Sequence, residues 1–326
     1  MKRVVALKFP FLKRRCLIMG DQNEVQAIAA VLTNYPFFDV VCSGDNHGSM
    51  PSFEEAEDPG SLMGTHGIDE IILGETADSS PETRNTLMRF KEKGVTLTPV
   101  TLLYERLTWR IPVDSIGDRG RFLVSPNGAG GHRVYSLVKR CFDVIGATLG
   151  LLLLCLIFPC IALAIKFNSP GPVFFRQERV GMRGETFVIR KLRTMVADAE
   201  KDEAIWSNHH DTRVMRLGRW LRKSRLDEIP QCWNILKGEM SIVGPRPERI
   251  KVVEKLEKEL PLYHLRHMVK PGLAGWAMVN RGYMCSFEDA KVRLEHDLYY
   301  VKHQSLWFDA LIFLRAFWHL LAMKGK

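Results

Sequence analysis

Two adjacent carboxylates, Asp227 and Glu228, lie in a strongly basic part of the chain. The run "RLGRWLRKSR" leads into them, and Arg246 follows between two prolines in "SIVGPRPE". Acidic neighbours in such surroundings either cap a helix and pair with nearby arginines, or act on a bound anion. The local sequence leaves both interpretations open, since an aspartate at a helix N-terminus is a common capping residue.

Several cations near the acidic pair have spacings that favour anion binding. Pro245 and Pro247 restrict the backbone on both sides of Arg246, so its guanidinium is held in one direction. A guanidinium fixed in this way suits a carboxylate, a phosphate or a planar base. Lys191 and Arg193 are two positions apart on a predicted strand and are therefore expected on the same face. A simple turn and an exposed basic strand remain the alternative interpretations of these two motifs.

The charge of the chain is unevenly distributed. Residues 1–130 contain 14 basic and 17 acidic residues, whereas residues 131–326 contain 32 basic and 20 acidic residues. The back half is therefore expected to meet anions, which include nucleic acid, phospholipid headgroups and phosphorylated substrates. The seven cysteines show no CxxC spacing, which favours reduced thiols over a disulfide framework or a metal site.

A long apolar segment, 144–165, contains 22 residues and no charge. As a helix it would be about 33 Å long, close to the hydrocarbon thickness of a bilayer. Pro159 predicts a kink or break next to Phe158, and lysine and arginine flank both ends of the segment. These features favour a re-entrant hairpin over about 141–167 that enters and leaves through one membrane face. A straight span and a buried core helix are the alternatives.

Two further segments are typical of helices at a membrane surface. The segment 212–224 predicts a basic amphipathic helix, which suits either an anionic membrane surface or a protein core with a solvated basic face. The segment 305–323 is apolar and rich in tryptophan, but Asp309 and Arg315 interrupt it. Because such residues are costly at the bilayer midplane, this segment is expected to lie at the level of the headgroups.

The front half alternates strand and helix patterns between residues 16 and 113, which predicts a parallel sheet with helices on its faces. Its first turn from strand to helix contains only Gly20, whereas dinucleotide binding needs several glycines. We therefore expect a regulatory or structural domain. The predicted fold is an α/β, Rossmann-like domain over 1–123, a linker over 124–133, and a mainly helical α+β membrane-anchored domain over 134–326.

Five motifs of the back half, in order, resemble those of the bacterial sugar transferase family, the monotopic polyprenyl-phosphate phosphoglycosyl transferases. The resemblance covers residues 134–326, and the front half resembles the accessory domain of the longer, exopolysaccharide-associated members. One departure is Phe158, where family members often carry a serine before the hairpin proline. The five motifs are "KRCFDVIGA", "SPGPVFFRQERVG", "RKLRTM", "LDEIPQCWNILKGEMSIVGPRP" and "KPGLAGWAMVN".

The resemblance implies transfer of a sugar 1-phosphate from a UDP-sugar to polyprenyl (undecaprenyl) phosphate, with release of UMP, as the first step of surface glycan synthesis. It implies a ping-pong mechanism in which Asp227 forms an aspartyl-phosphosugar and Glu228 helps to hold Mg²⁺. The surrounding cations are expected to lower the pKa of both acids. By the same resemblance, the diphosphate would be contacted by Lys191, Arg193 and Arg222, and the nucleotide by Arg246.

The resemblance also places the enzyme on the cytosolic face of the bacterial inner membrane, as a monotopic protein. Its expected partners are the UDP-sugar, the lipid acceptor and membrane lipids, with no nucleic acid and with a homodimer as one option. Longer relatives begin with spanning helices, so the front domain here is either free-standing or the chain is truncated. Two other functions are an inactive, membrane-tethered nucleotide-sugar-binding protein and, less favoured, a nicotinamide oxidoreductase. The sequence does not identify the sugar.

Overall fold

The chain divides into two compact units, Met1–Trp109 and Arg110–Lys326. The second unit includes Ile111, whose backbone amide donates to the carbonyl of Glu295 at 3.1 Å. Most of the predicted linker lies outside the described residues, and its last three residues, 131–133, are helical. The computed structural model describes residues 14–20, 22–33, 35–40, 67–74, 81–113, 131–196, 213–280 and 286–322.

The first unit contains a four-stranded parallel sheet with the strand order β2-β1-β3-β4. Buried apolar side chains of the central strands, such as Ile18 and Ile72, pack against Leu32 and Leu103 of two helices. The predicted parallel sheet is therefore confirmed, and the Rossmann-like assignment stays a prediction. The elements are β1 (Arg14–Met19), α1 (Gln22–Leu32), β2 (Phe38–Val40), β3 (Glu70–Leu73), α2 (Pro81–Glu92), β4 (Thr96–Pro99) and α3 (Val100–Thr108).

The second unit is mainly helical, as predicted, with two small sheets in its described part. Strands β5 and β6 pair antiparallel, and β7 and β8 pair parallel. Its elements are α4 (Gly131–Asn168), β5 (Phe174–Val180), β6 (Thr186–Leu192), α5 (Arg216–Lys223), α6 (Cys232–Lys237), β7 (Ser241–Val243), α7 (Ile250–Glu259), β8 (Gly272–Ala274), α8 (Trp276–Asn280), α9 (Phe287–Lys302) and α10 (Leu306–Leu321).

Helix α4 contains the apolar segment and runs through Pro159 without an interruption of its secondary structure. Of the expected kink or break at this proline, a break is therefore not observed, and the re-entrant hairpin over about 141–167 stays a prediction. The helix begins at Gly131. A proline in a helix removes one hydrogen bond, and packing against other elements can offset that loss. Here the ring of Phe158 stacks on Phe174, with 5.2 Å between ring centroids. Within the described part, this helix is long and apolar enough to cross a membrane.

The same compact unit contacts α4 on both sides of Pro159. Before the proline, the guanidinium of Arg140 donates to two backbone carbonyls of α6. After it, Ile165 is fully buried in a cluster with Leu192 and Leu221. The opposite face of the helix exposes large apolar side chains, which are Leu149, Leu152, Leu153, Leu156, Leu163 and Phe167.

Helix α10 presents apolar residues outward and its acidic residue inward. Trp307 and Trp318 are largely exposed. Asp309 is buried, and its Oδ2 lies 2.7 Å from Nζ of Lys139 in α4. The carboxylate that interrupts the apolar pattern is therefore paired inside the protein, which removes the cost of exposing it to lipid.

Candidate active site

The two carboxylates lie on a short 3-10 helix, Leu226–Gln231, that continues directly into α6. Pro230 lies inside this turn, two residues before the start of α6. The preceding residue, Arg225, has a φ of 57°, so a left-handed residue turns the chain at the end of α5. Asp227 and Glu228 are 7% and 8% exposed. Both acids are thus buried, which a solvated surface ion pair would not be.

Glu228 is held by three cations from different parts of the second unit. Its Oε1 accepts hydrogen bonds from Nζ of Lys191 and from Nη2 of Arg246, both at 3.0 Å. Its Oε2 lies 3.6 Å from Nη1 of Arg225. Burial raises the pKa of the Glu228 carboxyl, but these cations outweigh burial and hold that pKa well below its usual range. Glu228 is therefore ionised, and it brings Lys191 and Arg246 together at one point.

Asp227 differs from its neighbour in both bonding and ionisation. Its Oδ1 is buried and has no hydrogen-bond partner among the described residues. Burial and then the negative charge of Glu228 raise the pKa of Asp227 to about 6, against the opposing charges of Lys191 and Arg222. The expectation that the basic run lowers the pKa of both acids is therefore wrong for Asp227, because loss of water outweighs the cations. The result is a buried carboxylate oxygen whose capacity to accept a hydrogen bond is not used by the described residues.

Arg222 approaches the acids from α5, which lies unusually close to β6. Its Nε donates to Oγ1 of Thr194 at 2.9 Å. The close approach depends on Gly218, since a Cβ at that position would lie 2.0 Å from the carbonyl oxygen of Thr194. The predicted amphipathic helix is thus present, although shorter than predicted, and it carries Arg222 to the edge of the site.

The structure does not bring Arg193 to the acids. Its guanidinium donates to the backbone carbonyls of Ser169 and Pro170, just after α4, and in the described part it makes no contact with either carboxylate. Lys191 and Arg193 therefore contact different groups in this structure, and the predicted contact of Arg193 with the diphosphate stays a prediction. Arg193 therefore binds the backbone that directly follows the C-terminal end of α4.

Two residues outside the predicted set of site residues also contact its charged side chains. Arg225 stood within the basic run, but its left-handed backbone and its contact with Glu228 are tertiary features. Thr194 carries a hydroxyl beside the predicted basic strand, and it orients Arg222. A threonine after a basic strand is too common a pattern to have identified this contact.

The arrangement suits attack by a carboxylate on an anionic phosphorus centre. An unpartnered carboxylate oxygen lies among several cations, and one neighbouring carboxylate fixes two of these cations in place. Positive charge of this kind allows an anionic nucleophile and an anionic substrate to approach each other, and it stabilises the charge that develops on the leaving phosphate.

Comparison with known proteins adds independent evidence. The chain is 41% identical over 210 residues to the UDP-N-acetylgalactosamine-undecaprenyl-phosphate N-acetylgalactosaminephosphotransferase of Aeromonas hydrophila, covering 64% of this chain and 48% of that protein. It is 44% identical over 187 residues to the UDP-glucose:undecaprenyl-phosphate glucose-1-phosphate transferase of Escherichia coli (strain K12), covering 56% and 40%. An enzyme of the same name from Xanthomonas campestris pv. campestris is 29% identical over 326 residues, covering 95% and 67%.

The chain spans about half or less of the length of the first two of these relatives. The family model described as Bacterial sugar transferase matches residues 134–323. That range is more than half of the chain and contains both carboxylates and every cation that contacts Glu228. The chain therefore belongs to the bacterial sugar transferase family.

Proposed function

We propose that this protein transfers a sugar 1-phosphate from a UDP-sugar to undecaprenyl phosphate and releases UMP, as the initiating step of an exopolysaccharide or other surface glycan. The observation that carries the proposal is the buried, unpartnered Oδ1 of Asp227 beside the cation-bound Glu228. Relatives named for glucose and for N-acetylgalactosamine transfer support the reaction class and leave the sugar open.

In the first step, the Asp227 carboxylate attacks the phosphorus that carries the sugar. A bond forms between that phosphorus and the aspartate oxygen, the bond to the bridging diphosphate oxygen breaks, and UMP leaves with the bond electrons. Lys191 and Arg246, which Glu228 holds in place, and Arg222 are the cations available to stabilise the diphosphate charge. This step leaves an aspartyl-phosphosugar.

In the second step, a phosphate oxygen of the lipid acceptor attacks the same phosphorus. The bond to Asp227 breaks, which restores the carboxylate and forms the lipid diphosphate sugar. UMP must leave before the acceptor phosphate takes its place, so the proposed kinetics are ping-pong.

The residues present fit a Mg²⁺ ion that is shared with the substrate. Within the described ranges, no group of three metal-ligating side chains forms a complete protein site. Mg²⁺ commonly binds through one or two carboxylates together with substrate phosphates, and Asp227 and Glu228 offer such a pair. When bound, the ion would neutralise part of the diphosphate charge. Glu228 is the ligand we propose, while Asp227 keeps the attacking oxygen.

The contacts of α4 support a monotopic arrangement, which we propose lies on the cytosolic face of the inner membrane. One compact unit holds Arg140 before the apolar segment and Ile165 at its end. A straight span would separate these two positions by the thickness of a bilayer. We propose that the exposed apolar face of α4 enters one leaflet and that both of its ends stay on the side of the active site, where the lipid phosphate lies.

The direct test is UMP formation from a panel of UDP-sugars by the full chain in membranes with undecaprenyl phosphate and MgCl₂. We expect release with at least one donor, and a phosphosugar adduct on the peptide that contains Asp227 when the acceptor is omitted. Turnover without an adduct would exclude the covalent mechanism. UDP-sugar binding without turnover would instead indicate an inactive nucleotide-sugar-binding protein.

A further inference from the structure

The segment 245–248, here called the arginine loop, is fixed through four consecutive backbone carbonyls. Each carbonyl accepts a hydrogen bond from a different residue, and the donors come from three separate parts of the second unit. The bonds are Gly272 N to Pro245 O at 2.9 Å, Arg266 Nη2 to Arg246 O at 2.8 Å, Arg179 Nη1 to Pro247 O at 3.2 Å and Val180 N to Glu248 O at 3.0 Å.

Carbonyl bonding is the main way in which this loop can be fixed. Pro245 and Pro247 lack an amide hydrogen, so two of the four residues cannot donate from the backbone. The side chain of Arg246 is directed to Glu228, and the side chain of Glu248 pairs with Arg293 at 2.6 Å. The Arg246 side chain is therefore oriented by its bond to Glu228 and by the bond that holds its own carbonyl.

The donor to that carbonyl, Arg266, belongs to a fully buried ion pair. Arg266 is 2% exposed and Asp297 is 1% exposed. Oδ2 of Asp297 accepts from Nε of Arg266 at 3.0 Å and from Nη2 at 2.7 Å. Burying two charges costs several kcal/mol in desolvation, and apolar residues of similar volume often stabilise a protein as well or better. An ion pair at this position is therefore better explained by the geometry that it imposes.

We infer that Arg266, oriented by Asp297, is a positioning residue that sets the direction of Arg246 for binding of the uridine nucleotide. The inference rests on the proposed function for the role of Arg246. In Arg266, Nε and Nη2 both donate to Asp297, and Nη2 also donates to the carbonyl of Arg246. Lysine cannot replace Arg266, because its single ammonium nitrogen cannot reproduce these bonds. The contact between Glu248 and Arg293 uses no atom of Arg266, so this attachment of the loop is still present when Arg266 is changed, although the charge of Arg266 also acts on Glu248.

A double-mutant cycle on the full chain tests this coupling. UMP is the probe, because it is common to all UDP-sugar donors, and its Kd is measured calorimetrically in detergent with MgCl₂. We expect Arg266→Lys to weaken UMP binding about tenfold when Arg246 is present. In the Arg246→Ala background, we expect the same change to weaken binding less than about twofold, since the side chain that Arg266 positions is gone.

Thermal unfolding is recorded for each variant. If Arg266→Lys impairs folding, Asp297→Asn replaces it in the cycle, and its effect on UMP binding is measured with Arg246 and with Arg246→Ala. Arg140→Lys is the matched control, because Arg140 also donates to two backbone carbonyls, but those carbonyls belong to α6 and not to the arginine loop. Its effect on UMP binding should be the same in both backgrounds.

The outcomes separate this inference from the proposed function. Equal effects of Arg266→Lys in the two backgrounds would show a general structural role and overturn the inference, even if the enzyme turns over. Coupled UMP binding without any turnover would leave the inference standing and overturn the proposed function. Absence of UMP binding by the unmodified chain would overturn both.

Discussion

Two chemically similar side chains at adjacent positions differ in the direction of their pKa shift: the pKa of Glu228 is lowered and that of Asp227 is raised. Glu228 contacts Lys191, Arg225 and Arg246, so its charge is compensated in the folded protein. Asp227 is as deeply buried but has one oxygen without a partner among the described residues. This asymmetry is the basis on which we propose that Glu228 organises the cations and that Asp227 attacks, and it gives each residue a distinct effect on stability.

Asp227→Asn is expected to abolish transfer, to leave UDP-sugar binding largely intact and to raise the stability of the folded chain. Because the pKa of Asp227 is raised to about 6, the folded state binds a proton more tightly than the unfolded state. Stability is therefore lost as the pH rises from about 4 to about 6. Removing the carboxylate should restore about 1–3 kcal/mol at pH 8, and a higher midpoint of thermal unfolding in EDTA measures it.

The difference in midpoint between Asp227→Asn and the unmodified chain should shrink as the pH is lowered towards 4, where both carry a neutral side chain. A constant difference across this range would contradict the raised pKa. Substantial transfer activity in the same variant would contradict the role of Asp227 as nucleophile.

Glu228→Gln is expected to have the opposite effect on stability. The change removes the negative charge that compensates Lys191, Arg225 and Arg246, and it leaves buried positive charge without its partner. We expect a loss of about 3 kcal/mol in the free energy of unfolding, measured by urea denaturation at pH 8. Unchanged stability would show that water compensates these cations as well as the carboxylate does.

Sequence reasoning identified most of the charged groups at the site but not their contacts. The acidic pair, Lys191 and Arg246 each leave a local pattern, and the resemblance to the family placed them at one site. The raised pKa of Asp227 and the left-handed conformation of Arg225 depend on tertiary packing, which short motifs do not encode. The bonds of Arg193 to the carbonyls that follow α4 are likewise tertiary contacts, which no local pattern indicates.

At the scale of elements, the position of α5 decides whether Arg222 reaches the site. The helix lies against the backbone at Thr194, and Gly218 permits this contact. The sequence showed the amphipathic pattern of α5 but gave no indication of which backbone it would touch. The continuity of α4 through Pro159 was likewise not predicted, since it depends on packing such as the contact of Phe158 with Phe174.

Gly218→Ala is expected to displace α5, because the added Cβ would lie 2.0 Å from the carbonyl oxygen of Thr194. We expect a loss of about 1–3 kcal/mol in stability and a marked fall in UMP formation, as the bond between Arg222 and Thr194 is broken. Gly184→Asn is the control, since a Cβ there meets no atom within 4 Å and asparagine tolerates its φ of 81°. Wild-type activity in Gly218→Ala would show that α5 can shift without consequence.

At the scale of the whole chain, the two units differ in net charge and in the features that they contain. The acidic front unit contains a parallel sheet whose role the family match does not address, because that match begins at residue 134. The basic second unit combines the acidic pair with a long apolar helix, and its contacts with both ends of that helix lead to the final prediction.

Labelling of single cysteines in a cysteine-free background should place positions 133 and 176 on the same, cytosolic side of the membrane. Arg133 and Arg176 are both exposed and flank the apolar segment of α4. In inside-out vesicles, a membrane-impermeant maleimide should label both Arg133→Cys and Arg176→Cys, and in right-side-out vesicles it should label neither until detergent is added. Leu156→Cys is the control, because this exposed apolar position should resist labelling in intact membranes. Labelling of positions 133 and 176 from opposite sides would establish a straight span, and the acceptor phosphate would then have to reach Asp227 without a helix that enters and leaves through one face.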